Sequence, residues 1–143
     1  MPVTEADVGH VRRAFEVFNE RFAALAGDAL EPYHAEFFVP DSVVHNADGF
    51  PTQGTYSGFA GYRRWFDDTY GPYEDVSWAL ESVAAHGERV VAIGLSGGRV
   101  PGDPTWLEIR LGCTYALRDG RIARIDVFLT PEGATAHAEQ MSA

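Results

Sequence analysis

Apolar residues change their spacing twice along this chain. From Val8 to Leu25 they recur at three- and four-residue intervals: Val8, Val11, Ala14 or Phe15, Phe18, Phe22 and Leu25. That spacing lays one stripe along a helix. Thr4 supplies an N-cap, with Asp7 three residues on, and Gly27 stops the helix after about Ala26. A short second helix follows Asp28 and carries Leu30, Tyr33, Phe37 and Phe38 before Pro40-Asp41 ends it. Ser42–His45 reads as a short strand. Asn46 to Ser57, with Gly49, Pro51 and Gly54, reads as a loop long enough to be functional. Gly58 opens a third helix with Phe59, Tyr62, Trp65 or Phe66, and Thr69 or Tyr70 on its apolar side. Gly71-Pro72 ends it.

From Tyr73 the period falls to two. Val76–Ala85 is a strand, His86-Gly87 a turn and Arg89–Leu95 the next strand. Gly97 to Pro104 is a hairpin loop. Thr105–Leu117 and Arg121–Leu129 are two long strands joined by Asp119-Gly120, the pair best suited to the positive φ angles of a tight hairpin. Pro131 suits the first turn of a closing helix capped by Thr130, and the tail after His137 is expected to fray. Helices set apart from a four-strand meander define an α+β fold: a curved antiparallel sheet wrapped around a helix-closed cone with a cavity inside.

At 143 residues, 1–143 make one domain. A net charge of −10 argues against nucleic acid and anionic membranes as partners, since both require clustered basic residues. The lone Cys113 sits mid-strand, where a buried apolar role is expected, and a reducing compartment fits. No basic start precedes an apolar stretch, and no run approaches a membrane span, so a cytoplasmic protein is expected.

In the first long strand Trp106, Glu108, Arg110, Gly112 and Thr114 share one face, while Leu107, Ile109, Leu111, Cys113 and Tyr115 share the other. Glu108 and Arg110 could move a proton or polarise a carbonyl if they line an apolar cavity; at a rim they form a plain ion pair. His45, at a strand end, is the natural general base near neutral pH, or a hydrogen-bonded structural residue. Asn46 could donate to a ligand carbonyl, Tyr33 could offer its hydroxyl, and Asp48 could serve as an acid at the pocket mouth. Trp65, Phe66, Tyr70, Trp78 and Trp106 could line an aromatic pocket for a flat polycyclic or terpenoid ligand, or simply pack the core. Asp126 pairs with Arg124 or acts as an acid. The histidines show no ligand spacing, and no phosphate loop or dinucleotide fingerprint is present, so neither metal nor cofactor is expected.

Four stretches together resemble the nuclear-transport-factor-2-like superfamily, and in particular its SnoaL-like branch of polyketide cyclases. They are Phe38-Val39-Pro40-Asp41-Ser42-Val43-Val44-His45-Asn46, the loop Gly49 to Gly58, Gly61-Tyr62-Arg63-Arg64-Trp65-Phe66, and Leu117-Arg118-Asp119-Gly120-Arg121-Ile122. The chain departs from the family's catalytic sets. Asn46 stands where ketosteroid isomerases carry their Asp, and the oxyanion donors would fall near Phe22 and Gly112. Val127 stands where cyclases and limonene epoxide hydrolases carry an Asp, with Asp126 one residue short, and the hydrolases' second Asp falls near Val91.

The resemblance implies that the Trp106/Glu108/Arg110 face lines the pocket together with Ala123, Ile125, Val127 and Leu129. Asp126 and the apolar row from Leu107 to Tyr115 would then lie on the convex side. Such a row would be a large exposed patch unless covered, so a homodimer is expected. This uses a two-residue turn; a three-residue turn would put Asp126 in the pocket instead. The expected function is cofactor-free acid–base chemistry on a hydrophobic, oxygenated substrate: isomerisation, cyclisation or dehydration. Glu108, Arg110, His45 and Asp126 would be catalytic, and Asn46, Tyr33, Trp65, Phe66, Trp78, Trp106 and Val127 would bind substrate. The alternative is a non-catalytic ligand-binding or dimeric scaffold domain.

Overall fold

The computed structural model describes residues 2–47, 49–51 and 54–141. In chain order the elements are α1 (Glu5–Leu25), α2 (Leu30–Phe37), β1 (Phe38–Asn46), β2 (Gly54–Ser57), α3 (Gly58–Tyr70), β3 (Glu74–His86), β4 (Arg89–Arg99), β5 (Leu107–Arg118), β6 (Arg121–Phe128) and α4 (Pro131–Met141). They form the expected α+β cone, in which a six-stranded sheet of order β2-β1-β6-β5-β4-β3 curves around the helices.

Two of the helix starts follow their caps. Thr4 and Asp7 exchange both bonds of a capping box at the head of α1, at 3.2 and 3.0 Å. Gly133 N donates to Thr130 Oγ1 at 3.1 Å and opens α4. That helix continues through His137 to Met141 rather than fraying, because Ala134 and Ala138 are buried against the sheet.

The strands differ from expectation at several points. Residues 38–46 form one long strand that absorbs Pro40-Asp41, and β2 pairs with its end inside the expected loop. β1 also runs parallel to β6, so the sheet is mixed. The β5–β6 turn has the expected two residues, with Asp119 and Gly120 both at positive φ (54° and 79°).

Beyond that turn the register slips. Leu117 faces Ile122 but Ala116 faces Arg124, so Ala123 is a bulge. Cys113 then pairs with Val127 and Thr114 with Asp126, a register that neither turn length anticipates. The bulge keeps Ile122, Ile125 and Val127 all facing the interior and turns Asp126 outward.

The face assignment for β5 is corrected as well. Leu111, Cys113 and Tyr115 point into the cone, where α1 and α3 close it, and belong to the core. The charged side of the strand faces out because solvent reaches it there. Of the apolar row behind the dimer expectation, Leu111, Cys113 and Tyr115 are therefore buried within one chain, while Leu107 and Ile109 remain about half exposed. On the outer face α4 covers Val91, Ile93 and Phe128. Gly112 permits this closeness, since a Cβ on it would lie 2.6 Å from Ala134 Cβ.

Candidate functional site

The cone holds an inner chamber of about 90 Å³. Its wall combines residues of α1 (Ala14, Phe15, Phe18), α2 (Tyr33), β1 (Phe38, Asn46) and α3 (Tyr62, Trp65, Thr69, Tyr70) with Trp78 of β3, Ser96 of β4, Leu111, Cys113 and Tyr115 of β5, and Ile122, Ile125 and Val127 of β6. Outside it lies a wider mouth of about 500 Å³, bordered by Pro51, Pro72, Tyr73, Val76, Leu107, Ile109 and Leu129 among others. Phe50, Thr69, Tyr70, Ser96 and Leu111 border both spaces and form the neck between them.

No charged side chain lines the inner chamber among the described residues. Its polar groups are hydroxyls, indoles, one thiol and one carboxamide, and most are bonded to each other. Trp65 Nε1 donates to Asn46 Oδ1 at 3.1 Å, and Trp78 Nε1 donates to Tyr70 Oη at 3.3 Å. Tyr33 Oη donates to the Ala14 carbonyl at 2.9 Å and also bonds with the Tyr62 hydroxyl. Burial disfavours the phenolates, so Tyr33, Tyr62, Tyr70 and Tyr115 are all held well above the usual tyrosine range. Burial likewise pushes the Cys113 thiol up to about 12, so it stays protonated and is no nucleophile at neutral pH. Thr69 Oγ1 is buried and has no hydrogen-bond partner.

The residues singled out from the sequence divide into three groups. Asn46, Tyr33, Trp65, Tyr70, Trp78 and Val127 meet in the inner chamber. Phe66 is buried behind that wall, packed on Phe18, Phe22 and Tyr70. The rest stand outside. Trp106 is 43% exposed at the rim and donates from Nε1 to Glu108 Oε2 at 3.2 Å. Glu108 borders the mouth, but its carboxylate shares the outer face with Trp106. Arg110 grips Glu81 of β3 on the outer surface, with its Nε and Nη2 at 2.7–3.0 Å from the carboxylate oxygens. His45 pairs across the sheet with Asp126, and its Nδ1 meets Thr55 Oγ1 at 2.9 Å. Asp126 is only 3% exposed, on the outer side, and accepts from Arg124 Nε and Nη2 at 2.9 and 3.0 Å. The expected catalytic set of Glu108, Arg110, His45 and Asp126 is thus not assembled in the cone. Asp48 lies outside the described residues.

Sequence reasoning passed over Thr69, Ser96 and Tyr115. Thr69 carries no signal beyond its place on an apolar helix face, and Ser96 precedes an expected loop whose first residues, 97–99, are strand. Among the described residues no group of three or more His, Cys, Asp or Glu could hold a metal. No helix among them is long and apolar enough to cross a membrane.

No curated protein matches the sequence. Solved structures share the fold. An NTF2-like protein of unknown function from Burkholderia pseudomallei K96243 is 16% identical over 91% of this chain and 95% of its own, with a TM-score of 0.71. TerC, co-crystallised with polyporic acid, is 17% identical over 94% and 99%, with a TM-score of 0.70. A protein with a ketosteroid isomerase-like fold from Catenulispora acidiphila DSM 44928, in complex with trimethylamine, is 17% identical over 82% and 88%, with a TM-score of 0.59. Residues 11–125 match the model of the SnoaL-like domain, and the chain belongs to that family.

Proposed function

We propose that this protein binds a small, largely apolar molecule that reaches the inner chamber through the mouth. One observation carries the reading: every described side chain lining the chamber is uncharged, while Glu108, Arg110, His45 and Asp126 lie outside it. Proton abstraction inside the cone would need a base, and neither a phenol held above its usual range nor a protonated thiol supplies one. Enclosure by aromatic and aliphatic walls is what ligand sites offer. Neighbours on this scaffold are named with an acid in one case and an amine in another, so the residues of this chain must decide the ligand.

The test uses a neutral naphthylamine dye whose emission rises in apolar surroundings. Saturable enhancement at one dye per chain is expected. Ser96→Phe, which plugs the neck, should abolish it with the circular dichroism unchanged, and Arg110→Ala on the outer surface should not. Absence of saturable binding would overturn the reading.

A second reading keeps the acid–base enzyme. It is favoured by Asp68, which borders the mouth, and by Glu108 at its edge. A substrate too large for the chamber would leave its reacting part beside them. In that case Glu108→Gln or Asp68→Asn abolishes turnover and leaves dye binding intact; unchanged turnover in both variants excludes it.

A further inference from the structure

We infer that the ligand is an alkylammonium compound, with its cationic head among the rings of the inner chamber and a hydroxyl or ether oxygen at Thr69. This deepens the reading of the cone as a ligand site and rests on it.

The size of the chamber comes first. At about 90 Å³ it is smaller than the roughly 150 Å³ cavity that admits a benzene ring. One small group such as a trimethylammonium head is the most it can hold, so the rest of the ligand lies outside it. The body of the ligand then occupies the mouth, against Leu107, Ile109 and Leu129.

The chemistry of the wall decides the charge. The strongest donors are already committed inward: both indole N–H groups and the Tyr33 hydroxyl donate to protein oxygens. An anion or a developing oxyanion would find little to stabilise it there. What remains is mostly ring surface with a few hydroxyls, Thr69 among them, and the electron-rich faces of Trp and Tyr attract cations, most strongly when these are desolvated. Burial keeps the tyrosines neutral, so they act through their rings. The approach agrees: no basic residue borders either space among the described residues, and the two charged residues at the mouth, Asp68 and Glu108, are acids. A chain of net charge −10 adds a long-range field of the same sign.

Thr69 fixes the position of the polar atom. Its hydroxyl lies at the neck, out of reach of bulk water and without a partner. Buried hydroxyls are nearly always bonded. A hydroxyl or ether oxygen near the ammonium head is the partner that this group would take.

The experiment compares choline, tetramethylammonium and the neutral isostere 3,3-dimethylbutan-1-ol by tryptophan fluorescence and calorimetry on the full chain. Choline is expected to bind at least tenfold more tightly than the isostere. Thr69→Val should weaken choline several-fold and leave tetramethylammonium unchanged. Asp68→Asn should weaken both cations without affecting the isostere. Equal or tighter binding of the isostere would overturn the inference while leaving the ligand-site reading intact. Failure of the naphthylamine dye as well as all three small probes would overturn both. A Thr69→Val variant that binds choline as tightly as the parent would remove the oxygen contact and with it the amino-alcohol assignment.

Discussion

His34 is a base enclosed by rings. It stacks on Phe38 at 4.9 Å, with Phe59 and Tyr62 on other sides, and its Nε2 meets Ser42 Oγ at 2.8 Å. Burial disfavours the imidazolium and lowers its pKa from 6.5 to about 4. Between those values the unfolded chain holds a proton that the folded chain does not. Stability therefore falls as pH drops from 6.5 toward 4 and levels off below. The loss attributable to this residue is on the order of 3 kcal/mol. Urea unfolding across that range should show His34→Gln with a shallower pH dependence than the parent; parallel profiles would assign the dependence elsewhere. A lone histidine on an apolar helix face thus has a structural role here, and sequence could not show that its neighbours would all be rings.

The decisive element is β6, and the decisive feature within it is one extra residue. Strict alternation from Ile122 would send Arg124 and Asp126 inward with it. The bulge at Ala123 resets the count, so Ile125 and Val127 enter the core and the ion pair stays outside. Deleting Ala123 should restore plain alternation and bury the Arg124–Asp126 pair against aromatics, an expensive exchange. Loss of the cooperative melting transition is expected; a native-like melt would show that the bulge is dispensable. Helix α4 depends on a different detail, its close approach to Gly112. Gly112→Val should lower stability by about 1–3 kcal/mol through overpacking, read as a lower melting temperature. An unchanged melt would mean that α4 shifts freely on the sheet.

At the scale of the molecule, two spaces meet at a neck, and ligand binding is tied to stability. A ligand that binds only the folded chain stabilises it by about 2.7 kcal/mol at one hundred times its Kd. Choline at that excess should raise the melting temperature of the parent, and Ser96→Phe should melt at the same temperature with or without it. An equal rise in the plugged variant would place the ligand outside the cone. The exposed rim, with Trp106, Leu107 and Ile109 at 43–49% exposure, lies where the body of such a ligand emerges.

The chain's own periodicities were enough for the α+β class, the three longer helices, the β3-to-β6 meander and the two-residue turn at Asp119-Gly120. Each of these depends on local spacing, caps and backbone preference. Seven lining residues, Asn46, Tyr33, Trp65, Tyr70, Trp78, Ile125 and Val127, were also within reach, because large apolar or amide side chains on inward faces meet wherever the cone closes. Three matters were decided only by the tertiary structure: which face of β5 is concave, where β6 slips, and which hydroxyl is left without a partner. Alternation separates two faces of a strand but does not say which one the helices will cover. A one-residue bulge leaves no mark in a sequence that reads well in either register. Thr69 became a candidate contact only once α3, β4 and β5 enclosed its hydroxyl between two spaces.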